Sequence, residues 1–410
     1  FVILEISIFQ KRTIKSGLRK IFKMTKKKKK NFETLAIHAG QKPDPTSGAV
    51  MTPIVMASTF EQSSPGVHKG YDYSRSINPT RKAFEECIAS LENGIKGFGF
   101  SSGVAAISAC VELLQPGDHI IAMDDLYGGS VRLFNEIKSI SQGIKISYVD
   151  MSNIENIEKE ISNNTKMFFI ETPTNPLLKV SDLQKISELA KKREILTVCD
   201  NTFASPFNQK PLNFGIDIVI HSATKYLGGH SDLIAGAMVI GKDDTNLIAR
   251  MENIHNSLGP ISGAFDSYLL LRSLKTLVVR MQRHNENAMK LAQHFEGHNK
   301  ISKVIYPGLA SHPQHSLAKS QMEGFSGIVS LELNGNLSNA KELLEKTSIF
   351  TLAESLGGVE SLIEHPGLMT HASLPEERRK KLGISDTLIR LSIGLENVDD
   401  LIDDIESSLN

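Results

Sequence analysis

The segment best suited to covalent chemistry places two hydroxyl groups and a lysine directly after a predicted buried strand. It reads Asp217-Ile-Val-Ile-His-Ser-Ala-Thr-Lys-Tyr-Leu-Gly-Gly-His-Ser231. A strand that ends near His221 leaves Ser222, Thr224 and Lys225 in the loop beyond its carboxyl end. Apolar neighbours lower the pKa of such a lysine and make its amine nucleophilic, as imine formation requires, while hydroxyl groups suit a phosphate. Taken alone, a cluster of this kind is more often an ordinary loop.

Three further segments carry groups that would complement that lysine. Asp200 ends an apolar run, where it could pair with a protonated pyridine nitrogen or simply cap a turn. The segment Phe100-Ser-Ser-Gly-Val-Ala-Ala106 leads from a strand into a helix rich in small residues, which suits anion binding at the helix start or tight packing. Tyr127 follows Asp125-Leu and could stack on a planar ring, although a buried tyrosine is a fair alternative.

In this order and spacing, the four segments resemble the Cys/Met-metabolism family of pyridoxal-phosphate enzymes. The resemblance extends from about Thr34 to the C-terminus, and residues 217–231 match the family's lysine signature throughout. It implies an α/β fold of the PLP-dependent transferase type (fold type I, aspartate-aminotransferase-like), with a mostly parallel central sheet and a smaller α+β C-terminal domain. It also implies pyridoxal 5′-phosphate as the cofactor, and no metal.

The same resemblance implies a role for each cofactor contact. Lys225 would hold the cofactor as a Schiff base and then shuttle protons, and Asp200 would pair with the pyridine nitrogen. Tyr127 would stack on the ring, and Asn175 would lie near the phenolic oxygen. The implied phosphate contacts are Ser222, Thr224, the backbone of Gly103 and Val104 and, from a neighbouring subunit, Tyr73 and Arg75. A site shared in this way implies a homotetramer built as a dimer of dimers.

An amino-acid substrate also follows from the resemblance. Arg390 would clamp the α-carboxylate, assisted by Asn175, and Ser355 would help to hold both the lysine and the carboxylate; without the resemblance, Arg390 reads as a strand-edge arginine. Glu354 would bind the distal ammonium of cystathionine. Arg132 would meet the distal carboxylate, but an exposed helix arginine is an equal alternative.

The implied reaction is α,γ-elimination of L-cystathionine, which with water gives L-cysteine, 2-oxobutanoate and ammonia, a step of transsulfuration. The main alternative activity is γ-replacement of an O-acyl-homoserine by cysteine. Two further alternatives rank below it: β-elimination of cystathionine and γ-elimination of methionine. Gly129 disfavours methionine, because methionine-cleaving relatives usually have a cysteine there. A carrier that holds the cofactor without turnover is disfavoured, since it needs no carboxylate clamp.

The elements that position these residues follow from the hydrophobic pattern. From about residue 94 to 241, apolar runs alternate with predicted helices, as in a mostly parallel sheet covered on both faces. The runs are residues 119–123, 145–149, 166–170, 196–199, 217–220 and 237–240, and the helices are 131–140, 154–161 and 183–192. Residues 265–295 read as one long helix, followed by strands at 301–306, 327–333 and 388–393. We therefore expect a large cofactor-binding domain over 66–264 and an α+β domain over 265–410, preceded by an irregular arm over 31–65.

Composition limits the remaining possibilities. The 410 residues are 40% apolar and 22% charged, which excludes a fully disordered chain or a rod. Three cysteines without CxxC spacing favour a reducing, cytoplasmic location. The sequence has no apolar stretch of about 18 residues, so it predicts no membrane-spanning helix.

The charged residues are distributed unevenly along the chain. Residues 1–30 hold eleven basic groups and one acid, against 35 basic and 45 acidic groups in residues 31–410. This basic segment is predicted to be a disordered tail. With the first methionine at Met24, residues 1–23 are expected to lie outside the working protein. Nucleic-acid binding through the tail is disfavoured by the acidic body.

Overall fold

The computed structural model describes residues 30–372 and 374–409 of the chain. The predicted basic tail therefore lies outside the described residues, apart from Lys30. The N-terminal arm contains a short helix, Phe32–His38, and the strand β1 (Gln62–Ser64), which pairs with β2 (Val67–His68), just beyond the arm, in a two-stranded ribbon. The arm was expected to lack regular structure. Its helix is held by tertiary packing, with Ala36 buried and the Phe32 ring edge-on to that of Phe207, rather than by a periodic pattern long enough to detect.

The six predicted apolar runs, together with the strand that ends at Phe100, form a seven-stranded sheet. Its strands are β3 (Lys96–Phe100), β4 (His119–Met123), β5 (Lys145–Val149), β6 (Thr165–Glu171), β7 (Leu196–Asp200), β8 (Ile218–Ser222) and β9 (Gly236–Ile240), in the order β3-β9-β8-β7-β6-β4-β5. Only β9 runs antiparallel to the others, which confirms a mostly parallel sheet. Except for the edge strand β5, which is partly exposed, the strands are almost fully buried, as expected when helices cover both faces. Ligands of such sheets bind beyond the carboxyl ends of the strands, where β6, β7 and β8 deliver their last residues.

A second, smaller sheet follows in the C-terminal part. It consists of β10 (Ile301–Ile305), β11 (Ile328–Leu333), β12 (Thr351–Leu352), β13 (Leu362–Glu364) and β14 (Leu388–Ser392), in the order β10-β11-β14-β13-β12. All its pairings are antiparallel except β12 with β13. The three strands predicted from the sequence are present. The two short strands β12 and β13 escaped prediction because two or three residues give no readable alternation.

Helices surround both sheets. Those on or near the large sheet are Pro79–Leu91, Gly103–Val111, Gly128–Arg132, Ser139–Gln142, Ile154–Glu160, Leu183–Arg193, Ser205–Asn208, Thr245–Leu258 and Ala264–Leu274, with a π-helical turn at Leu133–Lys138 and a 3-10 turn at Pro211–Phe214. Those that follow are Leu277–Phe295, His315–Gln321, Leu337–Lys346, Glu376–Leu382 and Val398–Leu409. No helix within the described ranges is both long and apolar enough to cross a membrane.

The single helix expected over residues 265–295 is in fact two helices, and the prediction was wrong at this point. The first ends at Leu274 and the second begins at Leu277. In an unbroken helix the Ser273 carbonyl would accept the N–H of Leu277. Instead it accepts hydrogen bonds from Thr276 Oγ1 at 3.1 Å and Arg280 Nη2 at 3.0 Å. The apolar stripe continues across the break, so periodicity alone does not reveal it.

The C-terminal helix anchors the segment that leads into the small sheet beside the cavity. Asp404 accepts hydrogen bonds from the backbone N–H and hydroxyl of Ser348 and from the N–H groups of Ile349 and Phe350, at 2.7 to 2.9 Å. Partial burial opposes ionisation of Asp404, but these hydrogen bonds outweigh it and hold its pKa below the usual value. The ionised carboxylate therefore fixes the chain that continues through β12.

Asp404→Asn should destabilise the protein at pH 7, because an amide cannot accept all four hydrogen bonds. The expected loss is about 1–3 kcal/mol, measured as a lower denaturation midpoint. Because folding lowers the pKa of Asp404, the wild type is more stable than the variant above the ordinary aspartate pKa. This difference in stability disappears as the pH falls through the pKa that Asp404 has in the folded state. The neighbouring exposed Asp403→Asn serves as the matched control, and equal midpoints for the two variants at pH 7 would contradict this role.

Candidate functional site

One cavity brings together most of the residues predicted to carry chemistry. It has a volume of about 920 Å³ and lies beyond the carboxyl ends of the large-sheet strands, against the small sheet. Eleven predicted residues line it: Gly103, Val104, Tyr127, Asn175, Asp200, Ser222, Thr224, Lys225, Glu354, Ser355 and Arg390. These residues come from segments more than 280 positions apart in the chain, so their convergence depends on the fold and not on local sequence.

The residues of this chain's cavity that were predicted to bind a phosphate lie where the N-terminus of the helix Gly103–Val111 faces the end of β8. Ser102 Oγ caps the helix Gly103–Val111 by accepting the N–H of Ala105 at 3.1 Å. The backbone here approaches Ser222 closely, because a Cβ on Gly103 would lie 2.9 Å from the Ser222 Cα. Free N–H groups at a helix start, beside serine and threonine hydroxyls, form an anion-binding cradle that a side chain on residue 103 would fill.

Asp200 stands at the end of β7 with its carboxylate held in place. Its Oδ1 accepts hydrogen bonds from the Thr202 N–H at 3.0 Å and the Thr202 hydroxyl at 2.5 Å. The Thr202 hydroxyl in turn accepts the N–H of Ser222 at 2.8 Å, which ties β7 to β8. Burial raises the pKa of Asp200, so a cationic partner in the cavity would favour its charged form. Thr202 was missed from the sequence, since a threonine two residues past a strand has no distinctive pattern.

Glu171, at the end of β6, is a second residue that sequence reasoning missed. Its two oxygens accept the backbone N–H groups of Tyr127 and Asn175, each at 3.0 Å. Glu171 on β6 lies opposite Asp200 on β7 in the strand pairing. Burial is the main cause, and the negative charge of Asp200 the second, of a Glu171 pKa well above the usual value. One carboxyl group thus fixes two loops that line the cavity. Its position at a strand end, four residues before Asn175, was the available signal.

Lys225 contacts the small sheet through its amine. Its Nζ lies 2.5 Å from Ser355 Oγ, and Ser355 has a φ of +99°, a strained conformation for a residue with a side chain. Burial, followed by the positive charge of Arg390, lowers the pKa of Lys225 to about 8. Amines with such a pKa exist in part as the neutral nucleophile near neutral pH.

Arg390, on β14, is buried at the inner wall of the cavity. Its Nη1 donates to Asn175 Oδ1 at 2.9 Å and its Nη2 donates to the Ser355 carbonyl at 2.6 Å. Nη1 also forms an ion pair with Glu364 at 2.9 Å. A guanidinium fixed from several directions is a suitable receptor for a carboxylate.

The outer wall and the remaining predicted residues are more exposed. Glu354 is an exposed carboxylate of the cavity wall, and Tyr127 is 40% exposed there. Arg132 is exposed and does not line the cavity. Tyr73 and Arg75 also lie outside it, on the surface of the chain, where Arg75 Nη1 donates to the Asn256 carbonyl at 2.5 Å. The structure therefore does not bring these three residues to the cavity of their own chain.

Comparison with known proteins identifies the family. The sequence profile described as "Cys/Met metabolism PLP-dependent enzyme" matches residues 33–410. The chain belongs to this family.

Among its relatives are cystathionine lyases of two kinds. The chain is 56% identical to a cystathionine beta-lyase of Coxiella burnetii, with 93% of this chain and 98% of the relative covered. It is 48% identical to a cystathionine gamma-lyase of Dictyostelium discoideum, with 94% and 100% covered. A crystal structure of cystathionine gamma-synthase from Xanthomonas oryzae pv. oryzae, in complex with aminoacrylate and cysteine, superposes with a TM-score of 0.90 at 44% identity, covering 93% of this chain and 98% of that one.

The cofactor is pyridoxal 5′-phosphate, and the fold is fold type I of the enzymes that use it. The cavity lining fits this group on physical grounds. The capped helix start and the end of β8 form a cradle for the phosphate, the buried Asp200 can receive a cationic ring nitrogen, and Lys225 offers a buried amine of lowered pKa. These features occupy separate parts of one cavity, as a ring with a phosphate arm requires.

Glu171→Gln should weaken cofactor binding, because one of the two N–H groups that donate to the Glu171 carboxyl oxygens would face an amide NH2 group, which cannot accept a hydrogen bond. We expect affinity for pyridoxal phosphate to fall about 10- to 100-fold and the visible circular dichroism of the bound cofactor to change as the Tyr127 loop loosens. Cofactor titration by absorbance measures the affinity. The exposed Glu160→Gln is the control, and unchanged affinity and dichroism in Glu171→Gln would show that the carboxyl does not position these loops.

Proposed function

We propose that the protein is a cystathionine γ-lyase, which converts L-cystathionine and water to L-cysteine, 2-oxobutanoate and ammonia by α,γ-elimination and hydrolysis of the resulting imine. The observation that carries this proposal is the placement of charges along the cavity. Arg390 is buried at the inner wall, whereas Glu354 is an exposed carboxylate of the same cavity. A substrate anchored by its α-carboxylate at Arg390 would extend its side chain outward, and Glu354 suits the distal ammonium that cystathionine carries.

The bound cofactor would supply an electron sink for negative charge that develops on the substrate carbon beside it. The residues supply the rest. Arg390, held by Asn175 and the Ser355 carbonyl, orients the α-carboxylate. Lys225 Nζ, with a pKa of about 8 and a hydrogen bond to Ser355 Oγ, can accept a proton at neutral to slightly alkaline pH and return it. Tyr127, which is 40% exposed in the cavity wall, would stack on the cofactor ring.

The γ-reaction requires one more proton transfer than the β-reaction. After the α-proton is removed, a β-substituent can leave directly, but a γ-substituent leaves only when a proton has also been taken from the β-carbon. An amine at the end of a flexible lysine chain can serve both carbons, so Lys225 suffices for either route. β-Elimination, which gives homocysteine and pyruvate, is the second candidate, and it is favoured by the name of the 56% identical Coxiella burnetii relative.

Product analysis separates the two reactions. Incubation of the cofactor-loaded protein with L-cystathionine should yield cysteine and 2-oxobutanoate, identified by mass spectrometry.

Glu354→Gln should raise KM for cystathionine about tenfold with a smaller effect on kcat, since the lost contact binds a part of the substrate that does not react. Lys225→Ala is the inactive control. Homocysteine and pyruvate as the main products would overturn the γ-assignment in favour of β-elimination, and γ-replacement of an O-acyl-homoserine by cysteine would be tested if neither pair formed.

We further propose that the cavity is completed by a second copy of the chain, in a homotetramer of two such dimers. Tyr73 and Arg75 lie on the surface, away from the cavity of their own chain, and Arg75 is a suitable partner for a phosphate. The arm, which pairs with this segment through the bridge between Thr59 and Tyr73, exposes Val50, Met56 and other apolar side chains. All three cysteines are free and buried, in keeping with a reducing, cytoplasmic location.

Mixing two inactive variants tests the shared site. Lys225→Ala and Arg75→Ala should each have little activity alone. Random reassociation after dissociation makes half of the dimers hybrid, and each hybrid contains one intact site, so about a quarter of wild-type activity should return. Sedimentation should show the same assembly for all samples. Sites formed within single chains would give no recovery.

A further inference from the structure

The guanidinium of Arg390 is paired with a buried carboxylate from the neighbouring strand. Arg390 on β14 and Glu364 on β13 are register partners in the small sheet. Their side chains are 2% and 1% exposed, and Arg390 Nη1 lies 2.9 Å from Glu364 Oε1. Thr370 Oγ1 donates to the same carboxylate oxygen at 2.9 Å. Backbone pairing and burial thus hold the two charges together at a fixed separation.

The two residues differ in their access to the cavity. Arg390 lines it, whereas Glu364 is not among the described residues that do. Arg390 Nε is buried and makes no hydrogen bond to any described residue, although Nη1 and Nη2 are both bonded. Nη2 has a second hydrogen besides the one that the Ser355 carbonyl accepts, so a carboxylate in the cavity can still gain a donor from Arg390, but it must approach a guanidinium whose charge is already offset.

Charge balance in a buried site then discriminates between ligands. A lone arginine in a low-dielectric cavity attracts any carboxylate strongly, because its charge is otherwise uncompensated. With Glu364 beside it, a bare carboxylate would bring the local group to a net charge of −1. A zwitterionic amino acid adds no net charge, since its ammonium offsets its carboxylate. The pair should thus disfavour bare carboxylates more than amino acids.

We propose that Glu364 is a specificity-determining residue, which offsets Arg390 so that the site accepts zwitterionic amino acids and releases bare carboxylates such as a 2-oxo acid product. This inference rests on the proposed function only in taking Arg390 as the α-carboxylate receptor. It does not depend on whether elimination occurs at the β- or the γ-carbon. Glu364 acts through Arg390 and touches no reacting atom.

The test uses butanoate, a carboxylate without an amine, with the cofactor-loaded enzyme. Calorimetric titration should show butanoate binding at least about tenfold more tightly to Glu364→Gln than to the wild type. The inhibition constant of butanoate against cystathionine should fall in parallel, while KM for cystathionine changes much less. Glu364→Asp keeps the charge and should bind butanoate weakly, like the wild type. Glu332→Gln, on β11 of the same sheet and outside the cavity, is the matched control for loss of a carboxylate.

Stability provides a second readout that does not require activity. Glu364→Gln leaves Arg390 buried without its ion pair, so its melting temperature should fall and butanoate should restore it; refolding with butanoate applies the same test to a variant that folds poorly. Butanoate affinity that is unchanged or weaker in Glu364→Gln, with no stabilisation by the anion, would overturn the proposal. If Arg390→Gln in the Glu364→Gln background still bound butanoate equally well, Arg390 would not be the carboxylate receptor, and the proposed substrate site would fail instead.

Discussion

Two polar contacts between the large and small sheets define the site on which the rest of the chemistry depends. Lys225, which follows β8 of the large sheet, donates to Ser355 in the connection between β12 and β13. Asn175, which follows β6, accepts a hydrogen bond from Arg390 on β14. Each contact joins a group suited to the cofactor with a group suited to the substrate. The separation between Lys225 and Arg390 is therefore set by how the two sheets pack, and a small shift of one sheet against the other would change it.

Burial gives these contacts their chemical effect. The same desolvation that lowers the pKa of Lys225 raises the pKa values of Asp200 and Glu171. Each group is thereby moved toward its neutral form unless an opposite charge is placed beside it. A ligand that brings a cationic ring nitrogen to Asp200 and a carboxylate to Arg390 supplies those charges. The cavity thus favours a cofactor and a substrate of a particular charge pattern before any specific contact is considered.

The sequence predicts this arrangement well where a local pattern of residues is compatible with few structures. Continuous apolar runs such as residues 119–123 can only be buried strands or helix segments, and their spacing with helices indicates a parallel sheet. The lysine segment is equally informative, because the resemblance of residues 217–231 covers every position. The helix break at Thr276 is different in kind. It depends on Arg280 reaching the Ser273 carbonyl, a contact that the hydrophobic pattern does not encode.

Glu171 and Glu364 show why the supporting groups of the site are harder to predict than the groups that meet the ligand. Lys225 and Arg390 are assigned roles by the family resemblance of the segments that contain them, but a glutamate at a strand end is compatible with solvent, a cap or an ion pair. Glu171 matters because two N–H groups, 44 and 4 positions away in sequence, converge on its oxygens. Glu364 matters because strand pairing places it opposite Arg390. Both roles arise from long-range packing, so they become visible only when the sheets are assembled.

The cavity has a buried inner wall and an exposed outer wall, and this division is relevant to the relatives of the chain, which are named for different reactions. Removal of the α-proton requires the amine, the carboxylate receptor and the ring partner, whatever bond breaks next. Lys225, Arg390 and Asp200 are all at least partly buried in the cavity, so their geometry is fixed by the core. Discrimination between β- and γ-elimination must instead come from where the substrate side chain is held relative to Lys225. Under the proposed function, that choice would fall to exposed groups of the cavity such as Glu354 and Tyr127, which the core constrains least. The buried wall would then serve the step that the related reactions share, and the exposed wall would determine which bond breaks.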